Sequence, residues 1–231
     1  MIKAVFFDFF NTLAYYQPPR EQVYIDVCGD HGISVEEKAL ATSLPLADTF
    51  WRDENRRNPL EKRTQEKKFA FWTEYVLRVV KGAGAEISRD LAGKILAKMQ
   101  QMKWEFKAFH DVTDTLKSLK ERDLMLGLIS NAGQDMQKTY EELGLQPYLD
   151  YYVTSLEVGY DKPQPEIFQA ALQKAKVGAE ESIYVGDQYE LDIVGARGVG
   201  MKAILIDRKN WFPHIIDCPR IQSLDEIVKY I

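Results

Sequence analysis

Cysteine, histidine and long apolar runs are all scarce in this chain of 231 residues. Its two cysteines, Cys28 and Cys218, do not favour a disulfide-stabilised scaffold, so we expect a reducing, cytoplasmic location. The three histidines are scattered, and no pair has the spacing of zinc ligands. No stretch approaches the length of a membrane span, and the start of the chain does not resemble a secretion signal.

An excess of basic charge is also absent. The chain has 30 Lys and Arg against 35 Asp and Glu, a formal net charge of -5, so no overall basic surface is available for nucleic acid. Hydrophobic residues make up 45% and charged residues 28%, which is typical of a globular protein. We expect neither nucleic acid nor a membrane as a partner, and a monomer or homodimer.

Five short apolar segments predict buried parallel strands, because they are near-continuous apolar runs rather than alternating ones. Helix-like stretches lie between them, at about 111–122, 134–144, 165–175 and 190–198. Alternating strands and helices predict the α/β class, a Rossmann-like doubly wound parallel sheet. The predicted strands are residues 3–8, 124–130, 151–155, 182–187 and 202–207.

Residues 16–109 interrupt this alternation. The segment is rich in helix formers and charges and shows no convincing strand, so it predicts an inserted helical-bundle cap domain, with helices at about 20–31, 36–54, 61–81 and 87–107. The predicted α/β core domain is then formed by residues 1–15 and 110–231.

Polar residues stand at or just after the carboxyl ends of the predicted strands. In an open parallel sheet these ends lie along one edge, where ligands bind, so the residues are expected to meet in one crevice. They form four groups: Asp8; Ser130 with Asn131; Lys162; and Asp187 with Asp192.

Asp8 ends a predicted strand, and a carboxylate held rigidly there can attack phosphorus or carbon. Ser130 and Asn131 can donate hydrogen bonds to an anionic substrate. Each also has a purely local alternative: Asp8 can cap the following turn, and Ser130 with Asn131 can start a loop or a helix.

Lys162 lies in a segment stiffened by Pro163 and Pro165, and its ammonium can keep Asp8 ionised. Asp187, at a strand end, suits Mg²⁺, which prefers oxygen ligands. The local alternatives are a surface lysine in a turn and, for the acids, the first turn of a helix.

Together, in this order and spacing, the four groups resemble the motifs of the haloacid dehalogenase (HAD) superfamily along the whole chain. The resemblance implies a hydrolase with a Rossmann-like core and a helical cap inserted after the first motif. The matching segments are Asp8 to Thr12; Ser130 with Asn131; Lys162-Pro163 with Pro165, Ile167 and Phe168; and Gly186-Asp187 with Asp192, Gly195 and Ala196.

The resemblance also implies a role for each residue. Asp8 would be the nucleophile, and Lys162 would steady the nucleophile and the substrate. Substrate-binding residues would be Ser130, Asn131 and Thr12. The Mg²⁺ ligands would be Asp8, the main-chain carbonyl of Phe10 and Asp187, with Asp192 near the metal.

Phe10 departs from the pattern, because phosphatases of the superfamily have Asp at this place as general acid and base. That function typically contributes roughly 10²–10⁴-fold in rate. The preferred prediction is nevertheless a Mg²⁺-dependent phosphatase that acts on a small phosphorylated metabolite through an aspartyl-phosphate on Asp8. Two alternatives remain: a metal-free 2-haloacid dehalogenase, which the aromatic Phe10 favours, and a binding or regulatory protein without strong catalysis.

Overall fold

A computed structural model describes residues 1–132 and 136–231. The chain divides into two compact units: Met1–Tyr15 with Phe106–Ile231, and Tyr16–Glu105. The sequence-predicted division lies at 15/16 and 109/110, and the structure divides at 15/16 and 105/106.

The first unit contains a six-stranded sheet in the order β5-β4-β1-β6-β7-β8, and its described pairings are parallel. All five predicted strands are present in it, and the two-residue strand β8 was not predicted. A separate two-stranded sheet pairs β2 with β3, so the prediction of no strand within 16–109 is wrong at both ends of that segment. The strands are β1 (Ala4–Phe7), β2 (Ala14–Gln17), β3 (Glu105–Ala108), β4 (Met125–Ser130), β5 (Tyr151–Thr154), β6 (Ser182–Gly186), β7 (Lys202–Ile206) and β8 (Arg220–Ile221).

Four helices form the second unit, around a core of apolar side chains from all four. Thr64 and Ser88 cap the third and fourth, each accepting a hydrogen bond from a main-chain N–H of the first turn. The fourth helix is shorter than predicted, because the chain beyond it turns into strand β3. The helices are α1 (Arg20–Gly29), α2 (Glu37–Arg57), α3 (Gln65–Gly82) and α4 (Arg89–Met99).

The helices of the first unit follow its strands. The predicted helix at 190–198 is instead a π-helical turn, Tyr189–Val194, continued by a short α-helix, and the start of the helix predicted at 134–144 lies outside the described residues. Within the described part of the chain, every helix falls short of what is needed to cross a bilayer. The helices are α5 (Val112–Lys120), α6 (Gln137–Glu142), α7 (Ser155–Val158), α8 (Pro165–Ala175) and α9 (Gly195–Gly198).

Both faces of the large sheet are covered, as expected of a doubly wound fold. Successive side chains of a strand point to opposite faces, so Phe7 joins one core cluster with residues of α5, and Phe6 joins another with Phe168 of α8. Burial on both sides explains why the strands are near-continuous apolar runs. It leaves the carboxyl ends of the central strands as the edge where polar side chains gather.

Candidate active site

The ammonium of Lys162 lies at the centre of a buried polar cluster in the first unit. Its Nζ donates hydrogen bonds to Asp8 Oδ1 at 2.6 Å, Asp192 Oδ1 at 2.7 Å and Tyr184 Oη at 2.9 Å. An ammonium has three N–H donors, and all three are used. Burial lowers the pKa of Lys162, but the charges of Asp192 and Asp8 more than reverse this, so its pKa lies above the ordinary value. Lys162 therefore stays charged.

The side chain of Asn131 holds the main chain of Lys162 in place. The Lys162 N–H donates to Asn131 Oδ1 at 2.7 Å, and Asn131 Nδ2 donates to the Lys162 carbonyl at 3.1 Å. This pair of hydrogen bonds joins the end of β4 to the loop before α8. The side-chain amide of Asn131 therefore binds the loop that carries Lys162. A contact between Asn131 and the substrate stays a prediction.

Asp8 follows β1, and its N–H extends the sheet by donating to the Val185 carbonyl at 2.8 Å. Burial raises the pKa of the Asp8 carboxyl, Lys162 lowers it and Asp192 raises it again, with a net value of about 6. The carboxylate is therefore largely ionised at neutral pH, as a nucleophile requires.

Asp187 follows β6 and is the least satisfied acid of the cluster. Its Oδ1 is buried and has no hydrogen-bond partner among the described residues. Burial, and then the charges of Asp8 and Asp192, raise the pKa of Asp187 well above the ordinary value, while a hydrogen bond from Asn11 opposes the shift. Asn11 adopts a left-handed backbone conformation, with φ of 59°, which Asn tolerates better than most residues.

The acids fit a divalent cation. Asp8, Asp187 and Asp192 each offer a carboxylate oxygen, and the three oxygens lie within 4.8 Å of one another. Three carboxylates face the one ammonium of Lys162, so a bound cation would favour the form in which all three are ionised. The unpartnered oxygen of Asp187 and an all-oxygen donor set suit a hard cation such as Mg²⁺.

The three acids are not equivalent. Asp192 Oδ1 accepts from Lys162 and from Tyr184 Oη at 3.0 Å, and its Oδ2 accepts from the Gln188 N–H at 2.9 Å. Both carboxylate oxygens of Asp192 already accept hydrogen bonds from the protein, whereas Asp187 Oδ1 accepts none from the described residues. Asp187 is therefore the better-prepared metal ligand of the two.

The family model for haloacid dehalogenase-like hydrolases matches residues 2–200. The chain belongs to this family. The expectations of a HAD-superfamily hydrolase, an enzyme with an α/β Rossmann-like fold, are thereby confirmed.

Curated relatives of this HAD-like hydrolase include proteins named for the hydrolase domain and proteins named as phosphatases. The human haloacid dehalogenase-like hydrolase domain-containing protein 3 is 29% identical over 210 residues, which cover 89% of this chain and 82% of that protein. Glyceraldehyde 3-phosphate phosphatase of Methanothermobacter thermautotrophicus is 39% identical over 102 residues, 44% of this chain and 45% of that enzyme.

Among solved structures, a 2-haloacid dehalogenase from Pseudomonas syringae has the same fold. The TM-score is 0.55 at 24% identity, with 99% of this chain and 97% of the other covered. The fold is thus shared with a protein named for halide chemistry, so the choice of reaction has to be argued from the site.

Three further residues predicted for the site of this HAD-like hydrolase lie in the same unit. The ring of Phe10 is partly buried and packs against the apolar core of the first unit. Thr12 is fully buried, and its hydroxyl has no hydrogen-bond partner among the described residues. Ser130 is the last residue of β4 and is 9% exposed. Substrate contacts of Thr12 and Ser130, and metal binding by the Phe10 carbonyl, stay predictions.

Tyr184 and Asn11 were not singled out from the sequence. A phenol hydroxyl in the aliphatic run of β6 was the one available signal for Tyr184, since a buried hydroxyl requires a partner. The sequence could not show that its partners are Lys162 and Asp192.

Proposed function

We propose that this protein is a Mg²⁺-dependent phosphatase that acts on a small phosphorylated metabolite, with Asp8 as the nucleophile. The observation that carries the proposal is the arrangement of two acids: the Asp8 carboxylate is anchored on Lys162, and Asp187 beside it has a buried oxygen with no hydrogen-bond partner in the described part of the chain. Relatives named as phosphatases support the same reaction class.

In this proposal an Asp8 oxygen attacks the phosphorus atom of the substrate and forms an aspartyl-phosphate. The bond between phosphorus and the leaving oxygen breaks, and the leaving group takes a proton from water. A second water then attacks phosphorus, which releases inorganic phosphate, restores the Asp8 carboxylate and passes a proton to the solvent. Lys162 holds the carboxylate in position through both steps.

Mg²⁺ would be held by Asp8, Asp187 and the main-chain carbonyl of Phe10, with Asp192 nearby, and would offset the charge of the phosphoryl group. Without it, Asp8 and Asp187 would repel an anionic substrate. The metal and the ammonium of Lys162 together would balance the acids of the cluster.

Phe10 restricts the substrates, because a phenyl ring cannot protonate a leaving oxygen. General acid catalysis typically raises the rate roughly 10²–10⁴-fold. Its absence slows mainly those substrates whose leaving group must be protonated to depart. We therefore propose that acyl phosphates and activated aryl esters are turned over faster than alkyl phosphates.

We also propose that the inserted helical unit, Tyr16–Glu105, acts as a cap. A helical unit inserted shortly after the nucleophile is suited to excluding water and selecting the substrate. Residues that set this selectivity would then come from the cap rather than from the acids of the core.

The test is turnover of a panel of acyl, aryl and alkyl phosphates with Mg²⁺ and with EDTA. Turnover that requires Mg²⁺ and falls at least about 10³-fold in Asp8→Asn is expected, because an amide is not a nucleophile here. Asp123→Asn is the matched control: Asp123 is exposed and has φ of 59°, a conformation that Asn tolerates.

Three results would contradict the proposal. Chloride release from a short 2-haloacid in the presence of EDTA, without phosphatase activity, would assign the protein to dehalogenation. Binding of Mg²⁺ or phosphate without turnover of any substrate would assign it to binding or regulation. Unchanged turnover in Asp8→Asn would remove Asp8 as the nucleophile.

A further inference from the structure

Tyr184 makes the third contact of the Lys162 ammonium. It stands within β6 and is fully buried, and its Oη accepts from Lys162 Nζ at 2.9 Å. The same hydroxyl lies 3.0 Å from Asp192 Oδ1 and 3.3 Å from the Ile129 carbonyl, both of which can accept its proton. One hydroxyl therefore serves as acceptor for the cation and as donor to an oxygen beside it.

The ring of Tyr184 is held as firmly as its hydroxyl. It packs edge-on against Phe168, with ring centroids 5.3 Å apart and an interplanar angle of 80°, and the Lys162 Nζ lies 5.5 Å from its centroid. Because Phe168 is also fully buried, the ring has little room to move. The phenol is consequently a rigid support for the ammonium.

The three acceptors of Lys162 differ in kind. Asp8 and Asp192 are acids, and Tyr184 is neutral and the most distant of the three. Asp8 is the side chain that the ammonium orients, while Asp192 and Tyr184 hold the ammonium in place from other sides. With only two acceptors, the ammonium could shift toward Asp192 and turn an N–H away from Asp8.

We propose that Tyr184 is a positioning residue: its hydroxyl fixes the direction of the Lys162 ammonium and thereby the orientation of the Asp8 carboxylate. The kinetic consequence rests on the proposed phosphatase function, whereas the structural consequence does not. Tyr184→Phe removes one oxygen, retains the ring against Phe168 and tests both consequences.

The first measurement is the ¹H–¹⁵N spectrum of lysine ammonium groups. A buried ammonium with three acceptors exchanges its protons slowly, so Lys162 should give a resolved signal in the wild type, identified by its loss in Lys162→Arg. In Tyr184→Phe that signal should shift or broaden. In Tyr152→Phe, which removes a buried hydroxyl with no hydrogen-bond partner within residues 1–132 and 136–231, the signal should stay in place. A Lys162 signal that is the same in the wild type, Tyr184→Phe and Tyr152→Phe, or that shifts equally in the two tyrosine variants, would overturn the proposal.

The second measurement divides the kinetic effect. Misplacement of the nucleophile slows the chemical step, so kcat should fall roughly 10- to 100-fold in Tyr184→Phe, with KM within about threefold of the wild type. A rise in KM with unchanged kcat, or a fall no larger than in Tyr152→Phe, would contradict the positioning role.

Two outcomes remain distinguishable. If the wild type turns over no phosphate, the proposed function fails, and the ammonium spectrum still decides the role of Tyr184. If Tyr184→Phe does not fold, the wild type provides the test: a nuclear Overhauser effect between the Lys162 ammonium protons and the Tyr184 ring is expected. Its absence would overturn the proposal.

Discussion

Phe10 lies two residues after Asp8, and its ring packs against the core of the first unit. An aromatic ring contributes apolar packing there, but it has no proton to exchange with a leaving group. At the scale of single residues, we therefore propose that this position limits the catalytic power, while Asp8 and Lys162 would set the type of reaction.

Replacing Phe10 with Asp should restore an acid at this position. We expect turnover of an alkyl phosphate to rise by about tenfold or more, and turnover of an aryl phosphate such as p-nitrophenyl phosphate to change little. Steady-state kinetics with both substrates checks this. Phe10→Leu removes the ring without adding an acid, and an equal change in the two variants would rule out an acid–base explanation.

Binding of Mg²⁺ should strengthen as the pH rises. The pKa of Asp8 is raised to about 6 and that of Asp187 well above the ordinary value. Metal binding requires the ionised forms, so each group must lose its proton first. Affinity measured by calorimetry should therefore increase between about pH 5.5 and 7.5, by up to about tenfold per pH unit for each proton released. A Mg²⁺ affinity that is constant over this pH range would contradict the proposal that Asp8 and Asp187 bind the metal.

At the scale of elements, the site depends on close packing of α9 and the loop that carries Lys162. A Cβ atom added at Gly195 would lie 2.7 Å from the Phe168 ring and 3.0 Å from Pro163 Cα. Phe168 is fully buried and Pro163 Cα is backbone, so neither can move away cheaply. The absence of a side chain at Gly195 allows the loop that carries Lys162 to pack directly against α9.

Gly195→Ala should consequently destabilise the protein by about 1–3 kcal/mol through overpacking. It should also lower turnover, because the loop of Lys162 is displaced. Gly198→Ala in the same helix is the matched control: apart from its neighbours in the helix, no atom of the residues that the structure describes lies within 4 Å of an added Cβ, so stability should be unchanged or higher by up to about 1 kcal/mol. Urea unfolding measures both variants, and equal effects would contradict the packing argument.

At the scale of the whole molecule, Asp111 joins distant parts of the first unit. One of its oxygens, Oδ2, accepts from Arg208 Nη1 at 2.9 Å, Ser223 Oγ at 2.8 Å and the Leu224 N–H at 2.7 Å. Arg208 also donates to the carbonyl of Thr12 at 2.7 Å. The ion pair between Arg208 and Asp111, with the hydrogen bonds of these two side chains, thus joins the start of α5, the chain after β7, the C-terminal segment and the loop after Asp8.

Asp111→Ala should destabilise the protein by about 2–4 kcal/mol at neutral pH, because it leaves a mostly buried Arg208 unpaired. Burial raises the pKa of Asp111, but hydrogen bonds from Arg208 and Leu224 lower the pKa by more than burial raises it, so the net shift is downward. Asp111 therefore contributes stability above its unfolded pKa of about 3.9, and the contribution is lost as the pH falls through the lower folded value.

Urea unfolding at pH 7 and below pH 4 measures this prediction. The difference in free energy of unfolding between the wild type and Asp111→Ala should have its full value at pH 7 and should shrink on acidification. Asp114→Ala, at an exposed position of the same helix, should cost less than about 1 kcal/mol. A difference for Asp111→Ala that grows as the pH falls would have the wrong sign for a depressed pKa.

Much of the first unit could be predicted from its local sequence. All five predicted strands formed, because residues buried on both faces of a sheet leave uninterrupted apolar runs. The predictions failed where tertiary contacts outweighed local preference. Strands β2 and β3 pair across the two ends of the segment 16–109, which is rich in helix formers, and the residues after Asp187 form a π-helical turn rather than a regular helix. Two-residue β8 is too short to give a periodic signal.

The sequence by itself determined the kinds of groups at this site, since strand ends in a parallel sheet lie along one edge and the polar residues there could be read directly. It also determined the lack of an acid at Phe10. Only the tertiary structure decided how those groups share their hydrogen bonds. Lys162 joins Asp8, 154 positions away, and Tyr184, 22 positions away, and no local pattern records a pairing made across such separations.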